Sequence, residues 1–404
     1  MERYDTLYAL YEAFDVDTLR AYQDFVDLFP PVDSRVALEY WEEASDELAE
    51  RTDRVADAYG ETYAALAAHA TREQAFTALD LYSKHDRSVN VLVLDVDETL
   101  RSAGGTDNEI PRETLHLLTA FHENDVPIVV CTGQTLENVK GFLIQGLGNE
   151  LVHSGDVSVV YEAGTGVFTP GHGPDTKRLL YEDLDDDVRD VFDYVRGRVL
   201  PDAPEDVRRG CHLQGNEFNV TLKPNYETGS EDAVAVIDHA TVYLTELLAD
   251  AIPAASTDDV RAYFGARDPE IAAVLDARDA RPPSDHDVDA AAEAVLDRVQ
   301  LAYYEGDAAE VTANELDKVA GVTAALDVLG VADPFALVMG DSKSDLRVME
   351  WAEGNDAGIA AAPDHASERV REHAASTDGL VYDRGAAGDV LRTVYALNRL
   401  ADES

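Results

Sequence analysis

The chain has 404 residues, enough for two or three domains of ordinary size. It carries 81 acidic side chains against 32 basic ones, a formal net charge of -49, and this charge disfavours nucleic-acid or membrane-surface binding, since both surfaces are anionic. Disorder is also disfavoured, because 45% of the residues are hydrophobic and they occur in ordered runs.

Residues 1–88 predict a helical N-terminal extension. Alanine, leucine, aromatic and acidic residues recur at helical spacing in four stretches: Tyr4–Phe14, Asp17–Leu28, Val36–Ala58 and Glu61–Tyr82. Pro30 and Pro31 break the run. No cluster here suggests chemistry, so we interpret the extension as a structural helical bundle or an oligomerisation surface.

Three short apolar runs then predict buried parallel strands. They are Val89–Leu94, Val126–Cys131 and Phe335–Met339, with helical stretches between or beside them. This alternation is typical of a doubly wound parallel-sheet α/β fold, Rossmann-like in arrangement, and we assign residues 89–168 and 312–404 to its two parts.

Residues 169–311 have a different pattern and predict an inserted α+β domain. Cys211–Pro224 alternates like one half-exposed strand, and Val234–Ala249 is typical of a helix. Val299–Tyr304 and 308–312 predict a closing hairpin, whereas 251–289 gives no clear pattern.

Carboxylates follow the first buried strand, in Asp95-Val96-Asp97. Such a pair is weak evidence in so acidic a chain, and Asp15-Val16-Asp17 repeats it with no buried strand before it. The strand context distinguishes Asp95, which could be a metal ligand or a nucleophile with Asp97 as a neighbouring acid or base. A simple cap of the strand end is the alternative.

Three further segments carry candidate residues. Thr132 and Gly133 follow the second strand, where a hydroxyl and free N–H groups could bind phosphate oxygens. Lys318, one of only six lysines, opens a predicted helix, a place where the helix dipole disfavours a cation. Asp341 and Asp345 follow the third strand in Gly340-Asp-Ser-Lys-Ser-Asp345 and are spaced to bind Mg²⁺.

Together these segments resemble the haloacid dehalogenase superfamily of phosphotransferases. Its four motifs occur in order, as a DxDxT segment at Asp95–Thr99, Thr132 at a strand end, the isolated Lys318 and a GDSxxD segment at Gly340–Asp345. The insertion resembles the large α/β cap of the subgroup with sugar-phosphate phosphatases and phosphomannomutase. Tyr161–Thr165 and Glu310–Lys318 are similar to that subgroup's segments on either side of the cap.

The resemblance implies a role for each residue. Asp95 would be the nucleophile that forms an aspartyl-phosphate, and Asp97 would protonate the leaving group and then activate water. Thr132, Gly133 and Lys318 would bind the phosphoryl oxygens. Mg²⁺ would be bound by Asp95, the backbone carbonyl of Asp97 and Asp341, supported by Asp345.

The implied activity is a Mg²⁺-dependent phosphatase acting on a small phosphorylated metabolite, plausibly a sugar phosphate. A phosphosugar mutase and a non-catalytic, partner-binding protein are the alternatives. Glu98, Gln134 and Ser344 depart from the subgroup's usual residues, which loosens any substrate assignment. Candidate substrate contacts in the cap are His212, Asn216, Asn219 and Lys223.

The types and distribution of the charged residues indicate a high-salt environment. Acidic residues are spread over the whole length, most basic residues are arginine, and the composition resembles that of cytoplasmic proteins of extremely halophilic archaea. In molar salt the Debye length is about 3 Å, which screens repulsion between surface carboxylates. Because no signal-peptide pattern occurs and the two cysteines suggest no disulfide framework, we expect a cytoplasmic protein, and the N-terminal helices are a candidate surface for homo-oligomerisation.

Overall fold

The computed structural model describes residues 2–30, 34–101, 109–216, 218–283 and 286–402, with only the backbone described for Phe142 and Asn216. Pro31, one half of the predicted helix break, lies outside these ranges. The described part of the first 85 residues forms five helices: α1 (Glu2–Ala13), α2 (Val16–Leu28), α3 (Arg35–Tyr59), α4 (Glu61–His69) and α5 (Arg72–His85). The helical stretch predicted over Glu61–Tyr82 consists of two helices, α4 and α5. Thr71 starts the second, because its side chain caps α5 in a capping box with Gln74.

The next segment alternates strands and helices until residue 179. Its elements are β1 (Val91–Asp95), α6 (Arg112–Glu123), β2 (Ile128–Cys131), α7 (Leu136–Leu147), α8 (Asn149–Val152), β3 (Val157–Tyr161), β4 (Gly166–Phe168) and β5 (Lys177–Leu179). β4 pairs antiparallel with β3, and β5 pairs antiparallel with β4. The predicted cap boundary at residue 169 is therefore too early, since the chain leaves the core sheet only after Leu179.

The cap follows as an α+β domain. Its elements are α9 (Asp186–Arg198), α10 (Glu205–Gly210), β6 (Cys211–Asn216), β7 (Asn219–Pro224), α11 (Gly229–Ala251), α12 (Thr257–Arg267), α13 (Pro269–Ala277), α14 (Ala290–Leu296), β8 (Val299–Tyr304) and β9 (Ala308–Ala313). The predicted hairpin over β8 and β9 is confirmed. Cys211–Pro224 is not one strand but a second hairpin, in which His212 pairs with Lys223.

The chain then returns to the core. Its last elements are α15 (Lys318–Leu329), β10 (Ala336–Met339), α16 (Lys343–Gly354), β11 (Gly358–Pro363), α17 (Glu368–Ser376), β12 (Leu380–Tyr382) and α18 (Ala387–Asp402). β9 runs to Ala313, so the cap also ends slightly later than predicted. None of the helices in the described ranges has the length and apolar character that a membrane crossing needs.

The core sheet has eight strands in the order β12-β11-β10-β1-β2-β3-β4-β5. The six from β12 to β3 are parallel, and helices cover both faces. The predicted α/β fold with a doubly wound parallel sheet and an inserted cap is confirmed. Crossover connections leave β1 in the middle of the sheet, between β10 and β2, where its carboxyl end is flanked on both sides.

The N-terminal helices pack on this core. Leu7 and Leu66 belong to the same buried cluster as Leu92 of β1 and Leu397 of α18. Arg392 on α18 adds polar contacts, with its guanidinium 2.6 Å from Asp24 on α2, 2.7 Å from Glu113 on α6 and 2.9 Å from the carbonyl of His69. The extension therefore completes the core's hydrophobic face.

The cap is built on a four-stranded antiparallel sheet in the order β6-β7-β9-β8. Alternate residues such as Val220, Leu222 and Val311 pack with Phe192 and Leu244 of the covering helices. Because side chains alternate along a strand, the residues between them point to the opposite face. That second face is polar and lies over the core, as the cavity described below shows.

Candidate active site

Three of the predicted site segments follow neighbouring strands of the core sheet. β1 ends at Asp95, which pairs in register with Cys131 at the end of β2. On the other side of β1, Leu94 pairs with Met339 at the end of β10. Thr132 and Asp341 therefore follow strands adjacent to that of Asp95, at the carboxyl edge of the sheet where α/β proteins bind ligands.

A lysine and three carboxylates meet at this edge. Lys318 donates to Asp95 Oδ1 at 2.8 Å and to Asp345 Oδ1 at 2.6 Å. Its side chain is only 4% exposed, so both ion pairs are removed from water. Asp341 completes the group, since carboxylate oxygens of Asp95, Asp341 and Asp345 lie within 4.8 Å of one another. We call these four residues the carboxylate–lysine cluster.

The donor set of this cluster fits Mg²⁺. Three ionised carboxylates against one ammonium leave two negative charges in a largely buried place, which a divalent cation would neutralise. All donors are oxygen, and Mg²⁺ is usually held by one or two carboxylates together with substrate phosphate and water. Asp95 and Asp341 would hold the ion. Asp345 supports them, because Lys318 and Ser342 already occupy its two oxygens.

The electrostatics of the cluster follow from its burial. Burial raises the pKa of Asp95, Lys318 opposes that shift, and Asp345 and Asp341 add to it, so the net direction is upward. Burial and the charge of Asp345 raise the pKa of Asp341 to about 6. Burial lowers the pKa of Lys318, but Asp345 and Asp95 outweigh it and the pKa rises well above its ordinary value. Lys318 therefore remains protonated, and the carboxylates need a second cation to ionise fully.

Two glycines allow Lys318 to reach the cluster. Gly164 has a φ of +105°, and a Cβ there would lie 1.9 Å from the carbonyl oxygen of Asp317. A Cβ on Gly321 would lie 2.3 Å from Val160 Cγ1. Any larger residue at either position would push the start of α15 away from β3. Asp317 caps the same helix by accepting from the N–H of Ala320 at 2.8 Å.

The loop after β10 is fixed by a second set of short contacts. A Cβ on Gly340 would lie 2.3 Å from Cβ of Asp345, so the backbone there must be glycine for Asp345 to fold back on it. The N–H of Ser342 donates to Asp345 Oδ2 at 3.0 Å, and its hydroxyl donates to the same oxygen at 2.6 Å. This capping box starts α16 and places Asp345 against Lys318.

Asp97 lies just outside the cluster, with its side chain 48% exposed. Gln134 donates to its Oδ2 at 2.6 Å, and Arg101 donates to its Oδ1 at 2.6 Å. The carboxylate of Asp97 is therefore not among the three that can share a cation, which leaves its backbone carbonyl as the predicted ligand. Gln134 and Arg101 are residues that the sequence analysis did not assign to the site. The departure of Gln134 from the family pattern was the only signal for them.

The turn after β2 is held against the segment after β3. The N–H of Ala163 donates to the carbonyl of Thr132 at 3.0 Å, and the N–H of Glu162 donates to the carbonyl of Gln134 at 2.9 Å. Thr132 is buried, and its hydroxyl accepts from the N–H of Gln134 at 3.1 Å. Gly133 between them is exposed.

The polar face of the cap sheet carries the predicted substrate contacts. His212, Asn219 and Lys223 lie on this face, while the side chain of Asn216 is outside the described residues. His212 contacts Gln214 at 2.9 Å, Lys223 pairs with Asp307 at 3.3 Å, and Asn219 accepts from Thr221 at 2.6 Å. Each of the three therefore has a partner within the cap.

A cavity of about 210 Å³ lies between this face and the loop after β10. Gln300, Glu310 and Thr312 line it from the cap, and Lys343 and Arg347 line it from the core. Among the described residues, none of the predicted cap contacts lines it. Glu310 accepts from Thr221 at 2.7 Å, and burial raises its pKa. In the sequence Glu310 stands out only as the start of the segment that leaves the cap, and the alternation along β9 is the signal that places it on the polar face.

The fold and the cluster thus define an α/β protein with a carboxylate–lysine site at the edge of its parallel sheet, covered by a second domain. No protein-family model matches the chain, and no curated protein sequence matches it either. Solved structures do show likenesses at low identity. Trehalose-6-phosphate phosphatase from Aspergillus fumigatus is 14% identical with a TM-score of 0.43, over 80% of this chain and 97% of its own.

Two further structures are similar to the same extent. A Thermoplasma acidophilum protein, 0175, is 13% identical with a TM-score of 0.43, over 77% of this chain and 100% of its own. A haloacid dehalogenase-like hydrolase from Bacteroides thetaiotaomicron is 13% identical with a TM-score of 0.42, over 76% and 99%. Likenesses this distant carry no weight for activity, so the function proposed below rests on the residues of this chain.

The cluster predicts that Mg²⁺ stabilises the protein in a pH-dependent way. Without metal, the raised pKa of Asp341 means that the folded state holds a proton which the unfolded state releases. The free energy of unfolding should therefore fall as pH rises from about 4 to about 6. Mg²⁺ binds the ionised carboxylates, so its stabilisation should grow over the same range and reach about 2.7 kcal/mol at a hundredfold excess over Kd. Because the pKa of Asp95 is raised as well, both changes should continue at pH values above 6.

Thermal unfolding with and without Mg²⁺, on either side of pH 6 in constant molar KCl, measures this effect. Asp341→Asn is the matched variant, since it removes one charge from the cluster and should abolish most of the Mg²⁺ shift. An equal Mg²⁺ shift at all pH values, or an unchanged shift in Asp341→Asn, would contradict a metal site at these residues.

Proposed function

We propose that the protein is a Mg²⁺-dependent phosphatase that hydrolyses phosphoric monoesters through an aspartyl-phosphate on Asp95. The observation that carries this proposal is the carboxylate–lysine cluster itself. In this cluster a buried carboxylate at the end of a parallel strand lies 2.8 Å from a buried lysine and is grouped with two further aspartates. Burying so many charges together costs free energy. Phosphoryl transfer uses such an arrangement, because it depends on positioned charge more than on covalent chemistry.

In the first step, a carboxylate oxygen of Asp95 attacks phosphorus and the bond to the leaving oxygen breaks. The ammonium of Lys318 and the exposed peptide of Gly133, with the hydroxyl of Thr132, bind the phosphoryl oxygens. Asp97, held by Gln134 and Arg101, gives its proton to the leaving oxygen, so the products are an alcohol and the aspartyl-phosphate.

In the second step, water attacks phosphorus and Asp97, now a carboxylate, accepts the water proton. The bond to Asp95 breaks, which releases inorganic phosphate and restores the free carboxylate. When bound, Mg²⁺ supplies positive charge that offsets the repulsion between the anionic nucleophile and the anionic phosphate. Asp95 and Asp341 would hold it, with the carbonyl of Asp97 as the family resemblance implies.

A small polar metabolite, plausibly a sugar phosphate, is the substrate class we propose. The residues of the cluster do not line the cavity between cap and core, but Asp317 and Ser344, which adjoin Lys318 and Asp345 in the sequence, do. From the cap it is lined by amide, carboxylate and hydroxyl groups, namely Gln300, Glu310 and Thr312. Such groups pair with the hydroxyls of a polyol rather than with an apolar alcohol. His212, Asn219 and Lys223 remain candidate contacts for a larger substrate that reaches farther along the same face.

A phosphate-release screen tests this proposal directly. Sugar phosphates, phosphoglycolate, nucleotides and an aryl phosphate are supplied with Mg²⁺ in molar KCl, and EDTA is added in parallel. We expect phosphate from at least one sugar phosphate, a loss of about 100-fold or more with EDTA, and recovery on addition of Mg²⁺. A rate that EDTA leaves unchanged would contradict the proposal. Isomerisation of a sugar phosphate without phosphate release would show a mutase instead.

We also propose a cytoplasmic setting at high salt, and self-association through the N-terminal helices. The net charge of -49 supports the first part, since salt screens such a charge. Exposed apolar side chains on α2 and α3 support the second, among them Tyr40, which is 64% exposed, and Val36, which is 61% exposed. The molecular mass in solution at low and at molar KCl tests the self-association.

A further inference from the structure

Lys343 is the lysine of the loop after β10, and its polar partners are not residues of the cluster. It lies between Asp341 and Asp345 in the sequence and is the first residue of α16. Its ammonium pairs with Glu270 at the start of α13 in the cap, and donates to the carbonyl of Tyr303 on β8 at 3.0 Å. All of its polar contacts named here therefore cross from the core to the cap.

A third contact comes from the neighbouring aromatic ring. The ammonium of Lys343 lies 5.2 Å from the ring centroid of Tyr304, within the range of a cation–π interaction. Tyr304 is largely buried, and the charges of Lys318 and Asp345 both influence the pKa of its hydroxyl. Tyr304 is thus near both Lys343 and the cluster. Lys343 and Tyr304 also line the cavity between cap and core.

The charge of Lys343 has no role inside the cluster. Lys318 already pairs with Asp95 and Asp345, whereas Lys343 is 24% exposed and is neutralised by Glu270. The backbone of Lys343, however, lies within two residues of both Asp341 and Asp345. If the cap moved away from the core, the side chain of Lys343 would therefore lose its three partners. Lys343 stands in the middle of the segment that carries two of the site's carboxylates.

We infer that Lys343 is a positioning residue that ties the seating of the cap to the loop bearing Asp341 and Asp345. With the cap seated, Glu270 and the carbonyl of Tyr303 hold the ammonium, and the start of α16 is fixed with Asp345 against Lys318. With the cap displaced, the loop loses this restraint and the carboxylates are less well placed to share a cation. The inference rests on the proposed function only for its effect on turnover, since the restraint itself is a property of the fold.

Amide hydrogen exchange and Mg²⁺ binding test this inference without any assay of activity. Lys343→Met keeps the length of the side chain and removes its charge. We expect faster exchange in two segments together, β8 and the first turn of α16, and an affinity for Mg²⁺ about tenfold weaker in thermal shift. Glu270→Gln should give a smaller change in the same direction, because the carbonyl of Tyr303 remains. Lys343→Arg should recover most of the wild-type behaviour.

Lys84→Met is the matched control. Lys84 likewise pairs with a carboxylate, Asp378 at 2.9 Å, and donates to a carbonyl, Thr377 at 3.0 Å, but it lies away from the cap. We expect no change in Mg²⁺ affinity or in exchange of β8. Unchanged exchange and Mg²⁺ affinity in Lys343→Met would overturn the inference. So would a loss of Mg²⁺ affinity in Lys343→Met that is no larger than the loss in Lys84→Met.

Turnover then separates this inference from the proposed function. On a sugar phosphate, Lys343→Met should lower kcat by about tenfold with a smaller change in KM. A rise in KM alone, with Mg²⁺ affinity unchanged, would mean that Lys343 binds substrate and does not position the loop. An inactive wild-type protein would contradict the phosphatase proposal, whereas the exchange and Mg²⁺ results would still decide the role of Lys343.

Discussion

Asp95→Asn should lower kcat for phosphate release by about 10³-fold or more while leaving the fold intact. The carboxylate oxygen that attacks phosphorus is then absent, and an amide cannot form the aspartyl-phosphate. The fold should survive, because the amide oxygen can still accept from Lys318 and burial already disfavours the charged form of Asp95. Initial rates on the best sugar phosphate and melting in molar KCl measure the two effects.

The chain contains a matched control for this substitution. Asp17 stands in Asp15-Val16-Asp17, the same tripeptide as Asp95-Val96-Asp97, but its side chain is 90% exposed on α2. Asp17→Asn should have wild-type rates. If Asp95→Asn kept more than a tenth of the wild-type rate, or if both variants lost activity alike, the nucleophile assignment would be wrong.

Lys318→Met should lower both turnover and stability. Turnover should fall about 10²- to 10³-fold, because the positive charge that binds the phosphoryl group is removed from a dry site. The free energy of unfolding without metal at neutral pH should fall by about 3 to 5 kcal/mol, since Asp95 and Asp345 are left buried without their partner. The raised pKa values of Asp95 and Asp341 predict that acid partly restores stability, because protonation of these two groups removes negative charge from the site.

Denaturant unfolding against pH, with and without Mg²⁺, distinguishes these two losses. Mg²⁺ should recover part of the stability of Lys318→Met, because it supplies charge to the same carboxylates, but it should not recover turnover. Lys84→Met should behave as wild type, since its ion pair with Asp378 is exposed. A Lys318→Met variant with unchanged stability would contradict the buried ion pairs, and one with unchanged turnover would contradict the phosphate-binding role.

The central strands of the core could be predicted from the sequence because both of their faces are buried. Every residue of Val91–Asp95 and Ile128–Cys131 is buried, so each strand is an unbroken apolar run with a polar residue at or just after its end. The edge strands give no such signal. Gly166–Phe168 and Lys177–Leu179 have three residues each, and the second begins with two charged residues. The sequence therefore places the start of the cap too early.

The cluster could also be anticipated, because it is assembled from strand ends and one helix start. Asp95, Asp341, Asp345 and Lys318 are brought together by the sheet and by α15, although their chemical roles remain predictions. The contacts around them could not be predicted. Gln134 reaches Asp97 across 37 residues of sequence, and Lys343 reaches Glu270 across 73. Such pairs depend on the packing of loops and on the seating of the cap, which one sequence does not specify.

The packing of the N-terminal helices could not be predicted from the sequence either. Helical spacing in residues 1–88 predicts apolar faces but does not say what covers them. In the structure, α18 at the other end of the chain covers them, and Arg392 binds Asp24 and Glu113 across the junction. The extension is therefore part of the core's own packing, which its sequence pattern alone could not indicate.

Chemical trapping of the intermediate tests the phosphatase account most directly. The enzyme is mixed with Mg²⁺ and a sugar phosphate that it hydrolyses, quenched within one turnover and treated with borohydride, which reduces an aspartyl-phosphate to homoserine. Mass spectrometry of the peptides should find homoserine at position 95, in a yield that falls when EDTA is present. Homoserine at another aspartate, or rapid phosphate release with position 95 unmodified, would contradict the account.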